Sequence, residues 1–138
     1  MTTTNEDIAH AFYKHYSTFT ASIRMVSENE SYEPALGTPY LRTWHSPAQT
    51  ETITLGPNGV HWYMGVFQIS CYYPQAFGWA DAKAMAGRLI THFFRGTQVT
   101  YNNISVKVRQ SWMVPGFQED AWYLVPVIVE YWCFDNSS

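Results

Sequence analysis

"VFQISCYYPQAFGWADAKAMAGRLITHFFRG", residues Val66 to Gly96, joins an apolar, β-prone run to an alanine-rich helix. The run stops at Pro74, a short loop follows, and the helical pattern closes near Gly96. Ala82, Met85, Ala86, Leu89, Ile90 and Phe93 recur at i, i+3, i+4, i+7, i+8 and i+11, which is an amphipathic stripe. Asp81, Arg88, His92 and Arg95 fall on the opposite side. Arg95 is expected in the last turn, where a cation suits the helix dipole, and Gly96 can supply a left-handed cap. Between the two faces runs a track of small residues, Ala80, Ala84, Gly87 and Thr91, which admits close approach of another backbone. Its first reading is packing on the chain's own sheet, and its alternative is a neighbouring subunit. No catalytic group stands at the strand–helix junction.

Upstream, Thr4 or Asn5 can cap a first helix with Glu6 and Asp7 in its first turn and Ile8, Phe12 and Tyr16 as its apolar stripe. A strand is expected around Ser22 to Ser27. A turn-rich loop punctuated by Pro34, Gly37 and Pro39 then leads into a second strand, "YLRTWHS". Residues 47–59, "PAQTETITLGPNG", read as a polar hairpin arm or mobile loop. A long third strand spans 60–73. Trp62, Met64 and Val66 lie on one phase and Phe67, Ile69, Cys71 and Tyr73 on the other, so either a bulge sits near Val66 or both faces become buried.

Downstream of the helix, Gln98 to Tyr101 form a short strand and Asn102-Asn103 a turn. Ile104, Val106 and Val108 alternate with polar residues in a half-buried strand that reaches Trp112 and Val114. "PGFQED" reads as a loop. The last strand, Trp122 to Phe134, is apolar on both phases. Pro126 donates no hydrogen bond, which places this strand at an edge or puts a bulge there. Residues 135–138 are expected to fray. The chain therefore reads as one α+β domain over 1–138. Its order is α-β-β-β-α-β-β-β, a mostly antiparallel twisted sheet of about six strands with two helices on one face. Two helices shield one face, yet the third and last strands are apolar on both. The second face needs a tight curl of the sheet or another protein chain to cover it.

A length of 138 residues suits one core, and 46% hydrophobic with 17% aromatic residues argues against disorder across the body. No run reaches transmembrane length, and the start lacks the basic and apolar regions of a signal peptide. A net charge of −3 argues against general binding to nucleic acid or an anionic membrane. Cys71 and Cys133 have no second cysteine at metal or redox spacing and are expected as buried reduced thiols.

The chemical constellations are sparse. No serine sits in a G-x-S-x-G turn, and His10, His15, His45, His61 and His92 form no H-x-H or H-E-x-x-H pattern. His45 and His61 could meet across a hairpin, but two ligands are too few for a metal site. Glu28, Glu30 and Glu33 read as a solvated acidic edge. The glycines make no nucleotide-binding fingerprint. No catalytic residue, metal or cofactor is expected. A small-ligand-binding domain with an aromatic-lined pocket stays open, because such pockets leave no sequence signature.

Three stretches carry a resemblance. They are "VSENESYEPALGTPYLR", the strand–loop–helix unit "GVFQISCYYPQAFGWADAKAMAGRLITHFFRG", and the closing "YLVPVIVEYWC". In order and spacing, from about Ile8 to Cys133, the chain resembles tail-terminator-like minor tail proteins of long-tailed bacteriophages. The resemblance implies an α/β ring subunit, usually of a hexamer, in the virion at the head-proximal end of the tail, assembled in the host cytoplasm. Its implied partners are its own copies, the tail tube protein and a head-completion or connector protein, with DNA passing through the lumen unbound and no membrane involved. A head–tail connector of similar fold is the neighbouring reading. On the ring reading, Trp62, Ala84, Gly87, Trp112, Trp122 and Trp132 are the candidate subunit or tube interface. Glu51, Thr52, Ile53, Thr54 and Asn58 of the arm are candidate partner contacts.

Overall fold

The computed structural model describes residues 4–19, 23–28, 30–34, 37–48, 51–52, 61–102 and 104–135. Helix α1 spans Thr4–Ser17 and α2 spans Ala80–His92. The strands are β1 Arg24–Val26, β2 Tyr40–Pro47, β3 Glu51–Thr52, β4 His61–Pro74, β5 Gln98–Tyr101, β6 Ile104–Met113, β7 Phe117–Glu119 and β8 Trp122–Asp135. They form one sheet in the order β1-β2-β4-β8-β6-β5, with β3 added to β4 and β7 to β8. All pairs are antiparallel except β1 with β2. The expected α+β fold stands.

Both helices lie on one sheet face. Ile8, Phe12 and Tyr16 of α1 and Ala82, Met85, Ala86, Leu89 and Phe93 at α2 are buried there, as their spacing requires. They meet the inward phase of the strands: Phe67, Ile69 and Cys71 from β4, Val125, Val127, Val129 and Tyr131 from β8, and Val106 and Val108 from β6. Phe12 stacks on Phe67 at 5.1 Å and touches Tyr131 at the same centroid distance, so one ring ties α1 to both central strands. The helices are also fastened to each other near their C-termini. The His15 and His92 rings stack at 4.2 Å, and each Nε2 donates to the other residue's backbone carbonyl, at 2.7 and 2.8 Å. The His92 carbonyl lies in a last turn, where carbonyls lack intrahelical partners, and the His15 carbonyl also accepts from the Thr18 N–H and hydroxyl.

Several expectations are corrected. The β8 strand is central, flanked by β4 and β6, and pairs with β4 in unbroken register from Trp122 to Asp135. Pro126 is tolerated because its carbonyl accepts the Val114 N–H at 2.8 Å, so its nitrogen faces the same side. That side is the interval between the ends of β6 and β7, where no ladder donor is required. There is no bulge at Val66, since the β4–β8 register is continuous there. The bulge falls in β6, between Val108 and Gln110. "PGFQED" contains β7, a short strand turned onto β8 through Asp120, whose φ is 53°. The first strand is limited to Arg24–Val26. α2 ends at His92, so Arg95 lies beyond the last turn. Gly96, at φ 91°, donates to Val108 O and turns the chain into β5 rather than capping the helix.

Candidate functional site

The sheet face turned away from the helices is the main unshielded surface. Register places Trp44 of β2, Gln68 of β4, Ile128 of β8 and Trp112 of β6 in one row across four strands. A second row runs Tyr40, Tyr72, Leu124 and Phe117. Trp44, Trp112 and Phe117 are 45%, 38% and 47% exposed, large values for aromatic side chains. Their exposure follows from strand position: β2, β6 and β7 flank the central pair, and no helix covers this phase.

One end of this face is closed from within. Tyr40 stacks on Tyr72 at 4.5 Å, and Trp122 meets Tyr40 edge-on at 5.3 Å. Tyr32, from the loop before β2, packs on Tyr40 at 5.3 Å, and Arg24 lies 5.3 Å over the Tyr32 ring. This aromatic ladder explains why Leu124 is buried on a face without a helix. The other end is open. There a groove of about 620 Å³ is lined by Ala48, Met64, Val66, Glu130, Trp132 and Arg109. Arg109 donates to Glu130 at 2.8 Å, and Lys107 stands 5.8 Å over the Trp132 ring.

The titratable groups serve the scaffold. His45 Nε2 lies 2.7 Å from the Tyr131 hydroxyl, and burial holds the imidazole below its ordinary pKa, with Glu28 pulling the other way. Glu28 is half-buried: its carboxylate accepts the His45 N–H at 2.9 Å and the Tyr13 hydroxyl at 3.1 Å, tying β2 to α1. Glu30 pairs with Arg24 and accepts the Ser27 N–H. Of the expected acidic edge, Glu28 is drawn into the scaffold, whereas Glu30 stays in an exposed ion pair and Glu33 is exposed. Cys71 and Cys133 are free and buried, and burial pushes the Cys71 thiol up to about 12, where it is a poor nucleophile. Among the described residues no three His, Cys, Asp or Glu side chains converge to hold a metal, and no helix is long and apolar enough to cross a membrane.

The candidate interface residues do not form one patch. Trp112, Trp122 and Trp132 share the helix-free face, the first exposed and the other two half-buried. Ala84 and Gly87 lie on the outward side of α2, across the sheet. Ala84 is exposed, and a Cβ built on Gly87 meets nothing within 4 Å, so the small-residue track is not packed on its own sheet. Trp62 pairs with Glu51 and Phe134 through the backbone, and its side chain lies outside the described residues. Of the arm, Glu51 and Thr52 form β3, whereas Ile53, Thr54 and Asn58 fall outside the described residues, as do 136–138 of the tail. Sequence reasoning missed Trp44 and Phe117. Trp44 could have been found, because it alternates with the buried Leu41 and Thr43 phase of its own strand.

The fold and this surface define a single-domain α+β protein with one sheet face shielded by its own helices and the other turned outward. A family model described as phage tail terminator protein matches residues 7–131, and the chain belongs to that family, a family of structural proteins of the phage tail. A solved structure 26% identical to it superposes with a TM-score of 0.76 over 96% of each chain. A comparison with curated proteins finds no match.

Proposed function

We propose that this chain is a ring-forming tail terminator. Copies of it, six on the family pattern, cap the head-proximal end of the tail tube, stop its polymerisation and offer the docking surface for a head-completion or connector protein. The observation that carries this reading, beside family membership, is the helix-free face with exposed Trp44, Trp112 and Phe117. Each Å² of apolar surface left in water forgoes roughly 25 cal/mol, and a sheet face carrying several exposed large aromatics is a candidate interaction surface. A head-to-tail contact whose rotation closes gives a ring with two different ends, one for tube and one for head. A net charge of −3 per chain suits a ring through which DNA passes without binding. No chemistry is assigned to the protein, which acts by assembly.

Cryo-electron microscopy of the head-proximal tail end tests the proposal. The expected result is this chain as a single closed ring between tube and neck. Finding it elsewhere in the particle, or not in the particle, ends the reading. Native mass measurement with negative-stain images, alone and with tail tubes, gives the stoichiometry.

A further inference from the structure

The groove between Met64 and Trp132 lies at the start of β4 and the end of β8. The other end of the same strand pair carries the most exposed aromatic of the described chain. Trp79 is 63% exposed and Phe77 is 44% exposed, both on the short connection from β4 to α2. From Val66 to Pro74 the strand advances about 26 Å, so groove and aromatic projection stand at opposite ends of one rigid element. The projection is held in shape. Gly78 at φ 74° turns the chain, the Trp79 carbonyl accepts the Lys83 N–H at 3.1 Å, and Lys83 Nζ lies 5.1 Å over the indole ring.

We propose that Trp79 of one copy seats in the Met64–Trp132 groove of the next copy, and that this contact closes the ring. The inference rests on the terminator reading and adds the residues that join subunits. The occupant is argued from charge and shape. Lys83 stands over the Trp79 ring on the projection, and Glu130 lines the apolar groove, so the projection brings a cation to a recess that holds a carboxylate. A large aromatic entering an apolar recess is the usual anchor of an interface, with surrounding contacts excluding water. Because projection and groove are different surfaces, the contact is heterologous and can propagate around a ring. Trp79 alone buries on the order of 150 Å², well below the ~800 Å² per partner of a stable interface, so Trp44 and Trp112 beside the groove supply further area.

The test uses two variants at exposed positions, Trp79→Ala and Ala48→Glu, the second placing a carboxylate in the groove beside Glu130. Unchanged melting temperatures establish that both fold. Assembly of the full chain is followed by native mass spectrometry, alone and with tail tubes. Each variant alone should lose the ring, with the half-assembly concentration raised roughly 30-fold. Mixed one to one, the two should give a heterodimer and no ring, because one copy keeps only its groove and the other only its projection. Rings of Trp79→Ala like those of the wild type overturn this contact and leave the terminator reading intact. Loss of the ring in both variants without a heterodimer on mixing also overturns it. Retention of a dimer by Trp79→Ala but not by Ala48→Glu replaces it with a two-fold contact through the groove. Absence of any wild-type multimer, with or without tubes, overturns both the contact and the ring.

Discussion

The Tyr131 phenol crosses Gly65 to reach His45, with its hydroxyl 2.7 Å from His45 Nε2. Tyr131 and Gly65 are directly paired neighbours on β8 and β4. The glycine is what lets the ring lie flat across the strand. A Cβ at position 65 would stand 2.6 Å from Ser46 O, 2.7 Å from the Tyr131 hydroxyl and 2.8 Å from Pro47 Cα. Two of those neighbours are backbone and cannot swing aside. Gly65→Ala is expected to cost about 1–3 kcal/mol and to loosen β2 from β4. Urea unfolding measures it, and a variant as stable as the wild type would show that this corner is not tightly built.

Stability should fall as pH drops below the ordinary imidazole value of 6.5. Burial holds His45 down against the pull of Glu28. Burial also holds His92 down, opposed by its bond to the His15 carbonyl and helped by the neighbouring His15 ring. With folded pKa values below the unfolded one, the unfolded chain takes up protons first. The contribution is whole above 6.5 and is lost as pH falls through the folded values. The urea midpoint should therefore decline between pH 7.5 and 5.5, and His45→Gln should flatten that decline. A midpoint that rises on acidification would reverse the sign.

Tyr16 is buried, and its hydroxyl has no hydrogen-bond partner among the described residues. Burial raises its pKa, so the phenol stays protonated with its donor unused. Tyr16→Phe removes that cost and keeps the ring beside Phe67. The expected change is a gain of up to about 1 kcal/mol. A loss of similar size in thermal unfolding would reveal a partner for the hydroxyl.

Ala86 and Leu89 are fully buried under α2, whereas Ala84 is exposed on the same helix. Ala86→Asp or Leu89→Asp buries an unpaired charge and should cost about 3–5 kcal/mol. Ala84→Asp should change monomer stability by less than about 0.5 kcal/mol. Equal melting temperatures for all three would mean the helix is rotated from the orientation described.

Much of the fold was legible because it is local. The α2 stripe, the α1 stripe and the alternation of β4 and β6 are periodicities, and each buries the face its spacing dictates. Strand order is not local. Pro126 argued for an edge or a bulge, yet β8 is central and in unbroken register with β4, because its missing donor falls in an interval between two other strands that no window around Pro126 contains. β7 was hidden for a similar reason: three residues among turn formers become a strand only when β8 is beside them. The small-residue track was misread: packing on the chain's own sheet was its first reading, yet Ala84 is exposed and Gly87 meets nothing, because small residues permit a close neighbour without requiring one. The helix-free face was half legible. The strand patterns carried Trp112, Trp122 and Trp132, whereas their sharing a face with Trp44 and Phe117 required the register of four strands.

The central place of β8 also governs when the subunit can fold. Its partner β4 ends at Pro74 and β8 begins at Trp122, so roughly fifty residues are synthesised while β4 has only β2 and β3 as sheet neighbours. At about 5–20 residues per second, the nascent chain carries Phe67, Ile69 and Cys71 without their β8 partners for several seconds. Translation of β8 is then the event that completes the core and creates the Trp132 wall of the groove together. A chain interrupted before residue 122 lacks both the β8 side of the core and that wall.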